Sequence, residues 1–369
     1  MASLDRHERD KLLKRAAEYR KFSQRKTLKL ARQTRFEEDD EDGYEAPART
    51  PSVRLDDILL KLIEQDSFEH QRVAGEKALV LEVARRAVKV LKEGEVVTCL
   101  LSAQMAANQQ AEIAVGDDAI IQRREDQWFV MGVGPRRTNL SRPDVHLKEQ
   151  QRVIVANVDV VAVVVSVISP PLHPRIIDRF LIAIQRGGCT PVLVVNKVDL
   201  LDASNRDSSL RPLDPYRALG VEVFECAASL GVGIAELRRA LAGRLTAFVG
   251  HSGVGKSSLI NALAPELGLK VGDVSEGYGR GTHTTTSSSL IDLGDLRVID
   301  TPGIRSFGLW RLRRDDLPWY FPEFALAGRC KFSDCTHTHE PFCAVKDAVG
   351  RGQISSARYE TYLRIFEGM

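Results

Sequence analysis

The stretch GHSGVGKS, residues 250–257, decides the fold, because it matches the phosphate-loop pattern G-x-x-x-x-G-K-[ST] at every fixed position. The apolar run Leu245–Val249 before it predicts a short buried strand, and Ser258–Leu263 after it predicts the start of a helix. Glycines let successive backbone N–H groups approach a pyrophosphate, and a helix N-terminus adds a favourable dipole. A strand, a phosphate loop and a helix in this order predict a nucleotide-binding α/β domain. The alternative is a glycine-rich turn that matches by chance.

The phosphate loop, residues 250–257, also predicts individual ligands. Lys256 is expected to reach the β- and γ-phosphates and to act in catalysis, and Ser257 is expected to bind Mg²⁺. The other residues in and beside the loop that are expected to contact the nucleotide are Gly250, Ser252, Gly253, Val254, Gly255 and Ser258.

Length and composition set the outer limits. The chain has 369 residues, of which 43% are hydrophobic, so it is long enough for two or three domains with ordinary cores. No apolar run approaches the roughly 20 residues that span a bilayer, and the first residues are charged, so neither a membrane helix nor a secretory signal is expected. Acidic residues near the N-terminus also disfavour a transit peptide. We therefore expect a cytoplasmic protein that contacts no membrane. Separately, we expect the protein to act as a monomer, although composition does not give the oligomeric state.

Charge is segregated at the start of the chain, although the formal net charge is only +2. Residues 1–36 are rich in Lys and Arg, whereas residues 37–42 are all acidic. A solvated tail and an arm that binds RNA phosphates both fit this pattern. Residues 55–63 show a helical apolar spacing that predicts docking on the body of the protein. We group residues 1–71 as a basic and acidic N-terminal extension.

Residues 72–145 predict a small β-barrel. Short β-prone runs, broken by glycines and polar turns, occupy residues 78–83, 87–91, 96–101, 119–123 and 128–133. Five strands in such a length suit an oligonucleotide-binding fold (OB-fold), a barrel that commonly binds RNA. Periodicity alone does not separate this fold from other small barrels.

Residues 146–325 predict the α/β domain around the phosphate loop. The β-branched, apolar run Val153–Ile168 predicts one strand buried on both faces of a parallel sheet. An amphipathic helix over Ile176–Gln185 and a second buried strand over Pro191–Val195 are predicted after it. Ligands in such sheets bind beyond the carboxyl ends of the strands, so the residues after each strand are candidates for the site.

The tetrapeptide Asn196-Lys197-Val198-Asp199 follows one of these strands and has the N-K-x-D pattern of a guanine reader. The Asp199 carboxylate can accept hydrogen bonds from the ring N–H and the exocyclic amine of guanine, a pair of donors that adenine does not present. Asn196 is expected to bridge to the phosphate loop, and the Lys197 stem to lie along the base. Four residues also match by chance, and the preceding strand is what favours the functional interpretation.

A second loop is expected to contact the base. The predicted strand Glu222–Cys226 leads into Ala227 and Ala228. In guanine-nucleotide proteins a Ser-Ala pair at such a place contacts the base edge through a backbone N–H, which here would be that of Ala228. Ala227 stands where the serine is usual, so support from a hydroxyl must come from elsewhere.

Two stretches after the phosphate loop predict contacts with Mg²⁺ and the γ-phosphate. The polar segment 279–286 suits a mobile switch that brings a threonine to Mg²⁺ and the γ-phosphate, with Thr285 as the candidate. The predicted strand Leu296–Ile299 leads into Asp300-Thr301-Pro302-Gly303. There Asp300 is expected to hold Mg²⁺ through water, and the Gly303 N–H is expected to meet the γ-phosphate.

The order of these motifs along the chain is itself informative. The base reader and the Ala227–Ala228 loop precede the phosphate loop, whereas the threonine switch and Asp-Thr-Pro-Gly follow it, the reverse of ordinary GTPases. A circular permutation preserves such a site, because the site depends on which strand ends are adjacent in space. From about residue 72 onward the chain resembles the circularly permuted GTPases of the ribosome small-subunit-dependent GTPase A family. The supporting stretches are Val115-Gly116-Asp117, residues 136–142 (RRTNLSR), residues 156–159 (ANVD) and residues 303–310 (GIRSFGLW).

The resemblance implies a function and partners. Members of this family are GTP hydrolases that act in late maturation of the small ribosomal subunit, so GTP, GDP, the subunit and its ribosomal RNA are the expected partners. The same likeness implies release of the protein on GTP hydrolysis. One rival is a non-catalytic RNA-binding scaffold, which the set Lys256, Ser257 and Asp300 disfavours. The other is a metabolic GTP-dependent transferase, for which the sequence has no recognisable second-substrate signature.

Half of the six cysteines cluster near the C-terminus in the pattern Cys330-x₄-Cys335-x-His337-x₅-Cys343. A close cluster favours a metal over disulfides in a reducing compartment, with a disulfide pair as the alternative. Three thiolates and one imidazole make a closed tetrahedral site for one structural zinc ion. The family's spacing implies His337 as the fourth ligand, since spacing alone does not choose between it and His339. Residues 326–369 are therefore expected to form a zinc-binding helical domain, after the barrel and the permuted α/β GTPase domain.

One residue predicts slow intrinsic hydrolysis. Ile304 follows Gly303, where many GTPases carry the glutamine that orients the attacking water. A rearranged switch or the ribosome is expected to supply the missing group. His283 is the internal catalytic candidate, as a group that orients the water or accepts its proton, and a solvent-exposed loop histidine is the alternative.

Overall fold

The computed structural model describes residues 75–369 except for residues 85, 103–104, 106–112, 144–150, 266–287, 302–308 and 310–311. All described residues belong to the compact unit Val73–Met369. The N-terminal extension, with the apolar spacing over residues 55–63, lies outside the described residues. None of the described helices is long and apolar enough to cross a membrane.

The first five strands close into a barrel. They are β1 (Glu76–Val83), β2 (Ala87–Lys92), β3 (Glu95–Leu100), β4 (Asp118–Arg124) and β5 (Gln127–Val133). The strands pair in the order β1-β2-β3-β5-β4, and pairing of β4 with β1 closes the ring. Alternate residues such as Val88 and Val90 of β2 are buried in the barrel core, as the period of two in a strand requires. The predicted five-stranded barrel is therefore confirmed.

A two-stranded sheet follows the barrel. It consists of β6 (Asn139–Pro143) and β7 (Gln151–Ala156), which pair antiparallel. The chain then turns at Asn157, whose φ of 55° is left-handed and whose side-chain amide donates to the Gly116 carbonyl at 3.1 Å. The next strand, β8 (Val160–Ser166), begins only after this turn. The prediction of one strand over residues 153–168 is therefore wrong. The turn at Asn157 is fixed by contacts with the barrel, and an apolar run in the sequence does not reveal such a turn.

The strand β8 lies inside the six-stranded, mostly parallel part of an 11-stranded sheet that continues into the barrel. The other strands are β9 (Thr190–Asn196), β10 (Glu222–Glu225), β11 (Leu245–Val249), β12 (Ser289–Asp292) and β13 (Arg297–Asp300). Their order is β10-β9-β8-β11-β13-β12, and among them β12 alone runs antiparallel to its neighbour. β12 also pairs with β1 of the barrel. The carboxyl ends of the parallel strands meet at one edge, where ligands bind in such sheets.

Helices cover both faces of this sheet. They are α1 (Pro174–Arg186), α2 (Arg206–Leu210), α3 (Asp214–Ala218), α4 (Ile234–Leu241) and α5 (Lys256–Leu263), with short 3-10 helices at Val198–Leu200 and Arg211–Leu213. Alternate residues of β8 face opposite sides. Val161 and Val163 pack in the same core cluster as residues of α1, whereas Val160 and Val164 pack with residues of α4 and α5. Burial on both faces explains why β8 is almost wholly apolar.

The C-terminal module is helical. It contains 3-10 helices at Arg314–Tyr320 and Pro322–Ala327, followed by α6 (Ala344–Gly350) and α7 (Ser356–Glu367). Its core joins Leu317 and Phe321 to Tyr362 of α7, and it includes Ile182 of α1. One side of α1 therefore packs on the sheet, and another side packs on this module.

A buried ion network ties the module to α1. Arg358 of α7 donates to Asp178 of α1 at 2.6 Å and makes two further hydrogen bonds to Glu323. The side chains of Arg358, Asp178 and Glu323 are 3%, 1% and 10% exposed. The Tyr216 hydroxyl of α3 also donates to Asp178, at 2.9 Å. A buried charge without a partner destabilises a protein, so the carboxylates of Asp178 and Glu323 depend on the Arg358 guanidinium.

Candidate nucleotide and metal sites

The phosphate loop lies where the sequence predicts it, between β11 and α5. Gly250 has a φ of 148°, and a Cβ atom there would lie 2.3 Å from the Val164 carbonyl oxygen of the neighbouring strand. Gly255 has a φ of 90°, and a Cβ atom there would lie 2.3 Å from the Asn196 amide nitrogen. Only glycine accommodates both the left-handed backbone and these close contacts. Gly255 thus makes room for the asparagine of the predicted guanine reader.

Lys256 and Asp300 place opposite charges beside the loop. The Lys256 ammonium donates to the carbonyl oxygens of Gly250 at 2.9 Å and of His251 at 3.1 Å. Burial lowers the pKa of Lys256, and the Asp300 carboxylate opposes that shift. Burial also raises the pKa of Asp300, and Lys256 opposes this shift in turn. A half-buried cation and a carboxylate next to a phosphate loop are groups that can bind a phosphate chain and its Mg²⁺.

Asn196 connects three loops of the site. Its side-chain amide donates to the Val254 carbonyl at 3.0 Å, and its Oδ1 atom accepts from the Ala228 backbone N–H at 3.1 Å. Asn196 itself is 2% exposed at the end of β9. The Lys197 ammonium reaches the phosphate loop too, donating to the Gly253 carbonyl at 2.7 Å. The structure thus brings the N-K-x-D reader, the Ala227–Ala228 loop and the phosphate loop into one hydrogen-bonded unit.

The groups predicted to read the base lie at the edge of this unit. Asp199 is exposed in the 3-10 helix that follows β9. The backbone N–H of Val198 donates to the Cys226 carbonyl at 3.2 Å and holds this helix beside the Ala227–Ala228 loop. The Ala228 N–H, predicted to meet the base, donates here to the reader asparagine. Ala227 is buried and offers no hydroxyl, and the Asp199 carboxylate is exposed where a base can reach it from solvent.

The structure describes some of the remaining predicted ligands and does not describe others. Ser252, Ser257 and Ser258 are half-buried in the phosphate loop and the first turn of α5. The switch residues His283, Thr285 and Gly303 lie outside the described residues, and so does Ile304. Their roles stay predictions from the sequence.

The four predicted zinc ligands lie together in the C-terminal module. The ligand atoms of Cys330, Cys335, His337 and Cys343 all lie within 4.8 Å of one another. The His337 Nδ1 atom is 3.5 Å from the sulfur atoms of Cys330 and Cys343, and these two sulfur atoms are 3.8 Å apart. A tetrahedron with Zn–S bonds of about 2.3 Å and a Zn–N bond of about 2.0 Å has edges of about 3.5 and about 3.8 Å. The donor set therefore fits a zinc ion, and the exposed His339 is not part of it.

Neighbouring residues fix the loop that carries this cluster. The Glu340 carboxylate accepts from the backbone N–H groups of Thr336 at 2.8 Å and Thr338 at 3.0 Å. Burial alone would raise the pKa of Glu340, but hydrogen bonds from these residues outweigh it and lower the pKa to about 2. The Tyr359 hydroxyl of α7 donates to the His337 carbonyl at 2.7 Å. Glu340 and Tyr359 were not predicted from the sequence, because cysteine spacing carries no signal for the groups that support the ligands.

A group of hydrogen-bonded polar residues holds the barrel against the α/β domain. The sequence did not predict that these residues contact one another. Asp117 is fully buried and accepts two hydrogen bonds of 2.7 Å from Arg136. The backbone N–H of Arg137 donates to the Asn157 side chain at 2.8 Å. These residues come from three of the stretches that support the family resemblance. Their shared place in the structure indicates that they fix one domain against the other.

The fold and the site together define a class of protein. An N-K-x-D reader, a phosphate loop and a half-buried lysine meet at one edge of a parallel sheet, and the reader precedes the phosphate loop in the chain. This arrangement is that of a circularly permuted GTPase.

Comparison with known proteins specifies the family within that class. A family model described as RsgA GTPase matches residues 133–310. The small ribosomal subunit biogenesis GTPase RsgA of Geobacillus kaustophilus is 38% identical over 276 residues, which cover 74% of this chain and 90% of that protein. The chain therefore belongs to the RsgA GTPase family and is a GTP hydrolase.

Two solved structures agree with this assignment. The crystal structure of YjeQ from Thermotoga maritima matches with a TM-score of 0.64 and 33% identity, and covers 79% of this chain and 98% of that one. The crystal structure of YloQ, a circularly permuted GTPase, matches with a TM-score of 0.60 and 27% identity, and covers 81% of this chain and 96% of that one. The predicted circular permutation is therefore confirmed.

Proposed function

We propose that this GTPase acts in late maturation of the small ribosomal subunit, where it binds ribosomal RNA and leaves after GTP hydrolysis. The relative from Geobacillus kaustophilus is named for biogenesis of that subunit, and the similarity covers 90% of its length. The observation that carries the proposal is the position of Asn196, which joins Val254 of the phosphate loop to Ala228. It makes the base site and the phosphate site parts of one unit, as a cycle controlled by GTP requires.

The nucleotide in this proposal is GTP with Mg²⁺. Lys256 contacts the β- and γ-phosphates, Ser257 and Asp300 hold Mg²⁺, and Asp199 selects guanine. Bound Mg²⁺ supplies positive charge that offsets the negative charge developing on the phosphates. The further nucleotide contacts that we propose are Asn196, Lys197, Ala228, Gly250, Ser252, Gly253, Val254, Gly255, Ser258, Thr285 and Gly303.

Hydrolysis in this proposal is slow until the ribosome acts. Ile304 follows Gly303 and has no polar side-chain group with which to orient water. His283 takes this role once the switch is ordered on the subunit, a role that rests on the sequence because the residue lies outside the described part of the chain. Supplying a missing catalytic group accelerates GTPases by on the order of 10³ to 10⁵.

Each segment of the chain has its own role in this proposal. Residues 72–145 form the RNA-binding barrel, residues 146–325 the GTPase domain and residues 326–369 the zinc-binding domain, with residues 1–71 as an extension. The ring of Phe321 packs edge-on against that of Tyr362 of α7, with centroids 5.3 Å apart. Because Phe321 packs with the last domain, this contact favours a start of that domain before residue 326. Zinc in the Cys₃His cluster is structural, because four protein ligands leave no open position.

Co-sedimentation with purified small ribosomal subunits tests the proposal. With a non-hydrolysable GTP analogue the protein should pellet with the subunits, and with GDP it should stay in the supernatant. Lys256→Ala should abolish this difference, because it removes the contact with the phosphates that distinguish the two nucleotides. Equal pelleting of the unmodified protein with both nucleotides would contradict release on hydrolysis, and pelleting with neither would contradict the partner.

A further inference from the structure

Two phenylalanine rings lie exposed on the loop that carries the Cys/His cluster. Phe342 is 74% exposed and Phe332 is 40% exposed, although phenylalanine is among the residues most often buried. Phe342 directly precedes the ligand Cys343, and neither ring belongs to the core of the C-terminal module. We call Phe332, Phe342 and the adjacent Lys331 the aromatic patch.

The backbone holds the Phe342 side chain in solvent against its conformational preference. Phe342 has a φ of 57°, in the left-handed region that bulky L-residues rarely adopt. Its carbonyl accepts a hydrogen bond from the Lys331 backbone N–H at 3.4 Å, which joins the two ends of the loop. Glycine would adopt this φ without strain. Strained residues of this kind cluster at functional sites, so the exposed ring itself calls for a functional explanation.

Cations are interleaved with the rings. The Lys331 ammonium lies 4.6 Å from the centroid of the Phe342 ring and 6.0 Å from that of Phe332. Lys331 and the exposed Arg329 form no ion pair with any carboxylate in the described part of the chain, including the nearby Asp334. The patch therefore combines two flat apolar surfaces with positive charge that is not paired with a carboxylate among the described residues.

We propose that the aromatic patch binds unpaired bases of single-stranded RNA, with one base stacked on Phe342 and another on Phe332, and with Lys331 and Arg329 near the phosphates. Apolar rings alone would also suit a protein partner. The interleaved cations favour RNA, since each base of a strand comes with a phosphate. The inference rests on the proposed function, in which ribosomal RNA is the partner, and it adds the residues and the strandedness of the RNA.

The chemistry of stacking makes the proposal specific. Every base has a flat face, so the patch should show little preference for sequence. Bases inside a duplex are already stacked and paired, so a duplex should bind less tightly than a single strand. Stacking also needs an aromatic ring, whereas docking of an apolar protein surface accepts an aliphatic side chain of similar size.

Binding of a labelled short single-stranded RNA to the full, zinc-loaded chain, followed by fluorescence anisotropy, tests the proposal. Phe342→Ala and Phe342→Leu should each weaken binding roughly tenfold, because both remove the ring, and Phe342→Trp should retain the affinity. Leu326→Ala is the matched control, because Leu326 is 86% exposed in the same module but has no ring. Zinc content and thermal denaturation establish that each variant is folded.

Three results would overturn the proposal. RNA binding by Phe342→Leu that equals that of the unmodified protein would exclude stacking. A loss in Leu326→Ala as large as in Phe342→Ala would indicate a general apolar surface, as for a protein partner. Equal binding of a duplex and a single strand would exclude recognition of unpaired bases. Small-subunit binding by the unmodified protein, measured in parallel, separates the two proposals. Its absence refutes the proposed function, whereas unchanged RNA affinity in Phe342→Ala and Phe342→Leu refutes the patch.

Discussion

Replacing Arg358 with methionine should destabilise the protein strongly. Methionine keeps an unbranched side chain, so the substitution mainly removes the guanidinium and its hydrogen bonds. Asp178 and Glu323, only 1% and 10% exposed, are then left as buried carboxylates without a cation. Removing one partner of a buried ion pair destabilises a protein by about 3–5 kcal/mol. We expect Arg358→Met to reach this range, because two carboxylates lose the same partner.

The loss should also depend on pH. Burial raises the pKa of Asp178 in the folded protein, and Arg358 opposes this shift. Without Arg358 the folded-state pKa rises further, so the folded protein binds a proton at pH values where the unfolded chain does not. Stability gained in this way is present at low pH and is lost as the pH rises from about 3.9, the unfolded value, through the folded-state pKa. The destabilisation by Arg358→Met should therefore be larger at neutral pH than in mild acid.

Urea denaturation at fixed zinc and GDP concentrations, followed by circular dichroism, measures both effects. The matched control is Arg351→Met, since Arg351 pairs with Asp347 at 3.0 Å in the same module but the two side chains are 55% and 70% exposed. An exposed pair of this kind contributes about 0.5 kcal/mol. If Arg358→Met and Arg351→Met unfold at the same urea concentration, the buried network does not hold the C-terminal module to α1.

Three further predictions concern the nucleotide and metal sites. Asp199→Asn should lose GTP affinity and gain affinity for xanthosine nucleotides, in which a carbonyl acceptor replaces the exocyclic amine donor of guanine and can meet the asparagine N–H. Equal binding of ATP and GTP by the unmodified protein in nucleotide titrations would contradict the assignment. Zinc removal by a chelator should unfold the C-terminal module, because small metal domains draw folding free energy from the ion; metal analysis that finds no zinc in protein purified without chelator would count against the site. Gly255→Ala should lower GTP affinity roughly tenfold by displacing the Asn196 amide from its hydrogen bonds. Gly294→Ala, which has a similar φ but open space around its Cβ, should leave GTP affinity unchanged, and equal affinities for the two variants would refute the role of Gly255.

Elements with a strong local signal could be predicted from the sequence. The amphipathic helix predicted over Ile176–Gln185 is present as α1, Pro174–Arg186, and β11 covers the predicted run Leu245–Val249. The hydrogen bond from Asn196 to the phosphate loop was also predicted, because a motif fixes both the residue type and its place after a strand. These features depend on a few adjacent residues, which a sequence displays directly.

The features that the sequence did not reveal depend on partners far apart in the chain. The turn at Asn157 is held by Gly116, 41 residues earlier, and Arg358 bonds Asp178 across 180 residues. The short strand β12 pairs with β13 and, through Ser289, with β1 of the barrel. Local periodicity carries no information about such contacts, so one predicted strand became two and the buried ion network was not anticipated.

Single-turnover GTP hydrolysis, measured with and without purified small ribosomal subunits, tests most directly that this GTPase is controlled by the ribosome. Large subunits at the same concentration are the control for non-specific effects, and His283→Ala, with GTP and subunit binding intact, should lose most of the acceleration. We predict slow hydrolysis by the protein alone and an acceleration on the order of 10³ or more with small subunits. The same rate with and without small subunits would contradict the proposed control by the ribosome.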